Sequence, residues 1–333
     1  MPRKTNDLIW CLPLFESDYN MIKNKKKVIV LGANPAWQKT LFFHNLNAGK
    51  VNRAYHEENY PSGKGVNFCR ALRYSKLAET LLLQFAGGNN GKLLCDGLDA
   101  AGFQHQTVFT GSETRNCVTC LDDSGNMTEL IGVSHKILPD EANAMLDKLR
   151  AVLPCSGILA ITGSLPDGSD PQLYGKAAKL AMEHRVPILV DALIGLPEVL
   201  SQNGTVILKV NREEFFKITG ESEIFQAHRK AEKSYPGKVF AVTNGGENAT
   251  LSYDNVLFEY ILPPVKVVNP LGSGDTASAV MSALCAERKP FQEAFRQALA
   301  AASANCTTAK AGEYDPDCAN DLAQQMQITQ HNL

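Results

Sequence analysis

Residues 157–195 constrain the fold more tightly than any other part of the chain. Two short apolar runs, GILAITGSLP from Gly157 and VPILVDALIG from Val186, flank the helix-patterned DPQLYGKAAKLAMEH. Apolar runs with little polar alternation are strands buried on both faces, and strand, helix, strand at this spacing is a βαβ unit that implies a parallel sheet. The same rhythm appears in KKVIVLGANP upstream, and in TVILKVNREEFFKITG and KVFAVTNGG downstream. Each run ends in Gly or polar residues at the strand C-terminus, the edge at which open α/β sheets take their ligands. The predicted fold class is α/β with a mainly parallel central sheet.

Two segments break the rhythm. KTLFFHNLNAGKVNRAYHEENY and FQHQTVFTGSETRNCVTCLDDSGNMTEL are rich in β-formers and carry the turn signals Asn-Ala-Gly and Asp-Ser-Gly. They predict a small separate sheet, a lid contributed by about 38–60 and 104–131, able to cover a cleft and to pair with a second subunit through its edges. Residues 1–26 differ in character from the rest of the chain and are expected to be a poorly ordered N-terminal extension to a single domain at 27–333. No run approaches the ~18 apolar residues of a membrane span. A net charge of −2 without long like-charge blocks excludes a nucleic-acid footprint and a polybasic membrane patch, leaving small molecules as partners. Nine irregularly spaced cysteines fit a reducing, cytoplasmic compartment, and Cys117-Val-Thr-Cys120 has no second ligand pair that would make it a zinc site.

The chemistry concentrates in NPLGSGDTASAV, Asn269 to Val280. The glycines fall between a strand-like run and a helix, where unpaired N–H groups and the positive end of the helix dipole form an anion site. If the anion held there is the γ-phosphate of a nucleotide, Asp275 in that first turn is placed to accept a proton from an attacking hydroxyl while the glycine amides stabilise charge on the transferring group. The bland alternative is that Asp275 and Thr276 cap a core helix. Gly272, Gly274 and Ala277 also satisfy a dinucleotide spacing, but the chain runs on into helices, QEAFRQALAAASANCTTA, where that fingerprint needs a strand. No Gly-Lys pair is followed by the Ser or Thr of a Walker A loop. YPSGKGVNFCRALRYS supplies a second Gly-rich turn, Gly63-Lys64-Gly65, that leads into a helix.

With both turns in place, the chain resembles the ribokinase-like (phosphofructokinase-B) carbohydrate kinases, in particular the 1-phosphofructokinase and tagatose-6-phosphate kinase branch. SGKGVN matches the family's GGKGxN and GSGD its GAGD; NPAWQKT, GKVNR, TRN, ITGSLPDG, KVNREEF and VTNGGENA occur in family order from about Lys27 to Ala311. The resemblance implies a three-layer ribokinase-like kinase with a small β-sheet lid, a homodimer clasped through that lid, and ATP with Mg²⁺ as donor. It implies that Asp275 is the base and that Gly272, Ser273 and Gly274 form the anion hole. Gly63, Lys64 and Asn67, with Gln38 in the turn after the first strand, would face the sugar. Lys50, Arg115 and Ser164 would hold a phosphate already on the substrate, Arg115 with the fork geometry that suits it. Asn211, Thr243, Gly245, Gly246 and Asn305 would border the nucleotide, and Glu214 of the family's NxxE would meet the magnesium. Fructose 1-phosphate is the first expectation for the acceptor, with tagatose 6-phosphate or another sugar as the alternative. A catalytically weak sugar-phosphate-binding protein is the alternative of another class, and the retained Asp275 favours the enzyme. Lys64 as a solvated turn lysine, Arg115 paired with Glu113 or Asp122, and Glu214 as a surface acid remain the ordinary readings.

Four departures mark this chain. Ser62 replaces a family glycine, Ser273 an alanine and Asn248 a common glycine, all small changes, whereas Gln38 replaces an aspartate. A carboxylate only accepts hydrogen bonds, while a carboxamide offers one acceptor and a donor NH₂. A hydroxyl pair that donated both protons to aspartate finds one matched acceptor here, unless Asn34 or Asn67 takes over. Gln38→Asp is therefore expected to raise kcat/KM for fructose 1-phosphate or tagatose 6-phosphate about tenfold or more, equivalent to ~1.4 kcal/mol at the transition state. Efficient turnover of either sugar by the wild type, with no change in the variant, would show that this position does not set specificity.

Overall fold

The computed structural model describes residues 27–333; the expected N-terminal extension, 1–26, lies outside the described residues. A ten-stranded sheet has the order β14-β13-β12-β11-β10-β9-β8-β1-β4-β5. Its parallel part holds β1 (Lys27–Leu31), β4 (Glu79–Ala86), β5 (His105–Phe109), β8 (Ile158–Thr162), β9 (Ile188–Asp191), β10 (Val206–Asn211) and β11 (Val239–Asn244). β12 (Asn248–Tyr253), β13 (Val256–Ile261) and β14 (Gln327–Asn332) continue it antiparallel. The apolar runs form these strands because both faces are covered: Val28 to Leu31 and Ile158 to Ile161 are 0% exposed.

One face packs against α1 (Lys64–Ser75), α2 (Gly88–Ala100), α8 (Ser273–Ala286), α9 (Phe291–Cys306) and α10 (Pro316–Gln325). The other packs against α3 (Pro139–Val152), α4 (Leu173–Glu183), α5 (Leu196–Leu200), α6 (Arg212–Thr219) and α7 (Ile224–Ser234). Three layers result, as expected. From β1 the chain passes to β4 and β5 on one side, then returns to β8 on the other. That reversal opens a crevice beyond the C-terminal ends of β1, β4 and β8. Among the described residues no helix is long and apolar enough to cross a membrane.

A separate four-stranded sheet, β3-β2-β6-β7, forms the lid from β2 (Ala36–Phe43), β3 (His56–Ser62), β6 (Asn116–Asp122) and β7 (Met127–Ile131). The expected lid boundaries need one correction. Residues 105–109 are not lid: β5 pairs in parallel with β4 along the edge of the large sheet, the second strand of a βαβ unit closed by α2. Its HQTVF buries only Val108, and such half-buried patterning is shared by edge strands and lid strands. A second departure is β14, a strand beyond the last helices where none was expected; its residues are exposed or half-buried, so no apolar pattern announces it.

The crevice is narrowed by an approach of two backbones. A Cβ on Gly65 would stand 2.9 Å from Gly32 Cα and 3.0 Å from Leu82 Cδ1, so the end of β1 and the start of α1 touch without side chains between them. Helix propensity favours Gly65→Ala by roughly 0.5–1 kcal/mol, but overpacking against backbone costs about 1–3 kcal/mol. The clash should win: Gly65→Ala is expected to lower the urea-unfolding stability by about 1 kcal/mol or more. An unchanged or raised midpoint would mean that β1 and α1 part easily at this point.

Candidate active site

Register carries four polar side chains to one row at the C-terminal end of the parallel strands. Gln84 and Thr162 stand one residue beyond the pairs Leu31–Leu83 and Leu31–Ile161, flanking Gly32; Thr162 pairs with Asp191, and Lys209 lies next on β10. All four face the α1/α8 layer and are nearly or fully buried.

Asp191 is the node of this row. Its Oδ1 lies 2.8 Å from Lys64 Nζ and its Oδ2 3.3 Å from Lys209 Nζ, while Ser278 Oγ of α8 donates to Oδ2 at 2.7 Å. Burial alone would raise its pKa, but the two ammonium groups and the hydrogen bonds pull it down to about 2. This contribution to stability is present above the usual carboxylate range and is lost only as pH falls toward about 2. Burial works against the charge on Lys64, yet the Asp191 and Asp275 carboxylates more than offset it and its pKa is raised. Lys64 is thus a cation at neutral pH, held in place rather than free in a turn.

Asp275, in the first turn of α8, is 7% exposed. The capping role is not what it plays: Gly272 is the N-cap, with no side-chain cap bond, and Asp275 Oδ2 instead accepts from Asn67 Nδ2 of α1 at 2.9 Å. Asn67 is itself fixed by Arg70, whose guanidinium donates to Asn67 Oδ1 (2.9 Å), to the carbonyl of Ala311 (2.9 Å) and to that of Pro61 in the lid (3.0 Å). Burial raises the Asp275 pKa, Asp191 adds to the rise, and Lys64 opposes it; the net direction is upward. A buried carboxylate with a raised pKa beside a fixed cation is suited to take up a proton. Gly272 has φ +79° and a Cβ there would meet Ala311 at 2.7 Å, whereas a Cβ on Gly274 would stand 3.0 Å from Lys209 Nζ. These glycines bring the helix N-terminus up to the lysine, although the Ser273 amide of the expected anion hole already donates to the Pro270 carbonyl at 3.3 Å.

Beside these groups lies a cleft of about 440 Å³, lined by Lys64, Asp191, Ser164, Arg115, Glu214 and the lid's Ile131, among others. Asp275, Asn67 and Gly272 to Gly274 are not in its lining; they adjoin it through Lys64. Arg115 pairs with neither Glu113 nor Asp122 but donates to the carbonyls of Asn34 (2.9 Å) and Pro35 (3.4 Å). Asn34 Nδ2 donates to Ser164 Oγ at 3.2 Å. Gly63, the N-cap of α1 with φ +109°, starts the turn that carries Lys64.

Other expected site residues stand elsewhere. Lys50 is on the exposed loop between β2 and β3, outside the cleft lining. Gln38 is 5% exposed, and its Nε2 donates to Thr119 Oγ1 (2.9 Å) and the Lys39 carbonyl (3.3 Å), so the donor end of its amide is used within the lid. Through the pairs Gln38–Cys117 and Cys117–Ile131 it shares a lid face with Ile131. Asn305 is fully buried, and its Nδ2 donates to the carbonyls of Lys310 and Glu313, shaping the loop that meets Gly272 rather than facing the cleft. Asn211 and Glu214 form a reciprocal capping box on α6, each side chain accepting from the other's backbone N–H. Thr243 pairs with Asn211 across β10 and β11, and Gly245 and Gly246 come next in an open turn. Asn248 has no left-handed backbone; its Oδ1 ties Arg212 and Asn244.

Sequence reasoning missed Asp191, Lys209, Ser278, Arg70, Gln84 and Thr162. A lysine inside the apolar VILKVN was the readable signal, since such a residue is almost never buried unpaired.

Comparison with known proteins adds three observations. The sequence matches the description "pfkB family carbohydrate kinase" over residues 25–318. The fold superposes on Escherichia coli phosphofructokinase-2 in complex with fructose-6-phosphate with a TM-score of 0.81 at 20% identity, covering 90% of this chain and 98% of that one. It is also similar to a Thermotoga maritima protein described as a possible 1-phosphofructokinase (TM-score 0.79, 20% identity, 92% and 100% covered) and to Arabidopsis thaliana ribokinase complexed with ribose and ATP (TM-score 0.69, 21% identity, 90% and 99% covered). At these identities the likeness is one of fold.

Asp275→Asn keeps an acceptor for Asn67 but removes the carboxylate expected to serve as base, so turnover is expected to fall by roughly 10²–10⁴-fold with acceptor and nucleotide binding retained. Because ionising Asp275 is disfavoured in the folded state, the same variant should unfold at a higher temperature at pH 7. That gain should vanish below the ordinary carboxylate range, where wild-type Asp275 is also protonated. More than about a tenth of the wild-type rate remaining would remove Asp275 from the base role.

Proposed function

The chain belongs to the pfkB family of carbohydrate kinases and is a sugar kinase; from that premise we propose that it transfers the γ-phosphoryl group of ATP to a free hydroxyl of a ketohexose monophosphate, fructose 1-phosphate first, giving fructose 1,6-bisphosphate. One observation carries the substrate class: the guanidinium of Arg115, fixed by two backbone carbonyls, lines the same cleft as Lys64, with Ser164 in the same wall. That is a cation and a hydroxyl for a phosphate already present, in a cleft lined by the Lys64 that interacts electrostatically with Asp275.

In this reading Asp275 accepts the proton of the attacking hydroxyl as its oxygen bonds to the γ-phosphorus and the bond to the β-phosphate oxygen breaks, releasing ADP. The amides of Gly272 and Gly274, with the ammonium of Lys64, would stabilise the oxygens that gain charge. Asn211, Thr243, Gly245 and Gly246, at the C-terminal ends of β10 and β11, border the nucleotide. Glu214 lines the cleft with one carboxylate oxygen outside its capping bond, whereas Asp191 is fully engaged. Magnesium commonly takes one or two carboxylates and completes its shell with phosphates and water, so this donor set fits, and the ion would neutralise charge on the transferring group.

We also place a second copy of this chain on the lid. β7 is exposed along its whole length, with Leu130 56% and Ile131 59% exposed and Val133 77% just beyond. A bare edge with apolar side chains is a surface for strand-to-strand association. The eight cysteines among the described residues are all free thiols, which supports a reducing, cytoplasmic setting.

A coupled ADP-release screen over free sugars, sugar phosphates and nucleosides tests the acceptor, and an unphosphorylated compound used best would overturn it. Arg115→Ala sharpens the test. It should raise KM for the phosphorylated acceptor far more than for its unphosphorylated analogue, the loss of one charge-assisted contact being about 1.5–3 kcal/mol. Equal losses on both would show that Arg115 does not read the phosphate.

A further inference from the structure

Two polar groups in the cleft wall have no assigned task. Gln84 and Thr162 are 0% exposed, both line the cleft, and each has a buried polar atom without a hydrogen-bond partner: Gln84 Oε1 and Thr162 Oγ1. One end of the Gln84 carboxamide is spent, since its Nε2 donates to Thr107 Oγ1 on β5 at 3.3 Å; the other end is not. A buried polar group left unmatched costs about 1–3 kcal/mol, and few native side chains are left so.

Their place in the fold explains what they serve. Gln84 and Thr162 stand on the two strands that flank β1 at the reversal of strand order, one residue beyond the pairs at Leu31. Between them Gly32 offers no side chain, and α1 touches the sheet there through Gly65. The remaining polar members of the row are taken, because Asp191 and Lys209 bond each other and Asp191 also holds Lys64. On the lid side, the amide hydrogens of Gln38 are held by Thr119 and Lys39.

We infer that Gln84, with Thr162 beyond Gly32, forms the polar floor of the acceptor site, each satisfied by a hydroxyl of the bound sugar, and that Gln84 thereby sets which sugar the cleft accepts. A site built to hydrogen-bond a hydroxyl rejects the analogue that lacks it far more strongly than an apolar wall can. The inference rests on the cleft being the acceptor site of the kinase, not on the acceptor carrying a phosphate.

The test pairs a variant with substrate analogues. The acceptor that the wild type uses best in a panel of free sugars and sugar phosphates is compared with its monodeoxy analogues, in the wild type, Gln84→Met and Thr162→Val. For one hydroxyl, wild-type kcat/KM should fall about 10- to 100-fold on its removal. Gln84→Met should lose a similar factor on the parent sugar and nothing further on that one analogue, while remaining sensitive to the other hydroxyls. Thr162→Val, nearly isosteric, should behave alike toward a different hydroxyl, and it carries the test if Gln84→Met does not fold. Thr107→Val, which frees the spent end of the amide without touching the cleft, should change parent and analogues by one common factor. Equal losses on the parent and every analogue in both cleft variants, or none on any, overturn the inference. A best acceptor without phosphate would overturn the sugar-phosphate assignment and leave this comparison intact.

Discussion

The carboxylate of Asp191 is the interaction on which the site depends. It lies at the end of a buried strand, where an uncompensated charge would cost several kcal/mol, and it is tolerated because three elements bring it partners: Lys64 from α1, Lys209 from β10 and Ser278 from α8. The bond therefore fixes where two helix N-termini stand relative to the sheet. It also divides the acids of the site. Asp191, with two cations, is held ionised, while burial raises the proton affinity of Asp275 and the charge on Asp191 adds to the rise against the opposing pull of Lys64. Two carboxylates at one site with pKa values pushed in opposite directions are how a single environment supplies both a fixed anion and a proton acceptor.

The centre of the large sheet is legible in the sequence because β1, β8, β9, β10 and β11 are buried on both faces, and only apolar runs survive there. Legibility fails at the margins. HQTVF of β5 reads as lid because an edge strand and a lid strand share one half-buried pattern, and QITQHN of β14 has hardly any apolar pattern at all. The distinction lies in pairing partners, which are tertiary facts.

Within the site, Gly63, Lys64, Gly272, Gly274 and Asp275 are readable because turn chemistry and helix starts are local. Asp191, Lys209, Gln84 and Thr162 are not, since each acquires meaning only when the register sets four strands side by side. Lys50 illustrates the converse: a cation in a suggestive motif that this chain leaves on an exposed loop. Gly272 and Gly274 read as anion-binding residues alone, yet the contacts of Ala311 and Lys209 give each glycine a packing reason as well. Asn211 and Glu214 likewise cap a helix at the position where they would serve a nucleotide.

The guanidinium of Arg70 binds a carbonyl 241 residues further along the chain, and Asn67 reaches Asp275 across 208. A ribosome-bound chain can assemble the strands around β1 well before either contact exists, because that half of the sheet is complete once β8 and β9 have emerged. Asp275, the Asn67 amide bonded to it and the loop against Gly272 come together only once residues 275–311 have been made. A fragment released early would thus present a partly built sheet with Asn67 and Arg70 lacking their distant partners, and catalytic competence would report that synthesis had passed residue 311.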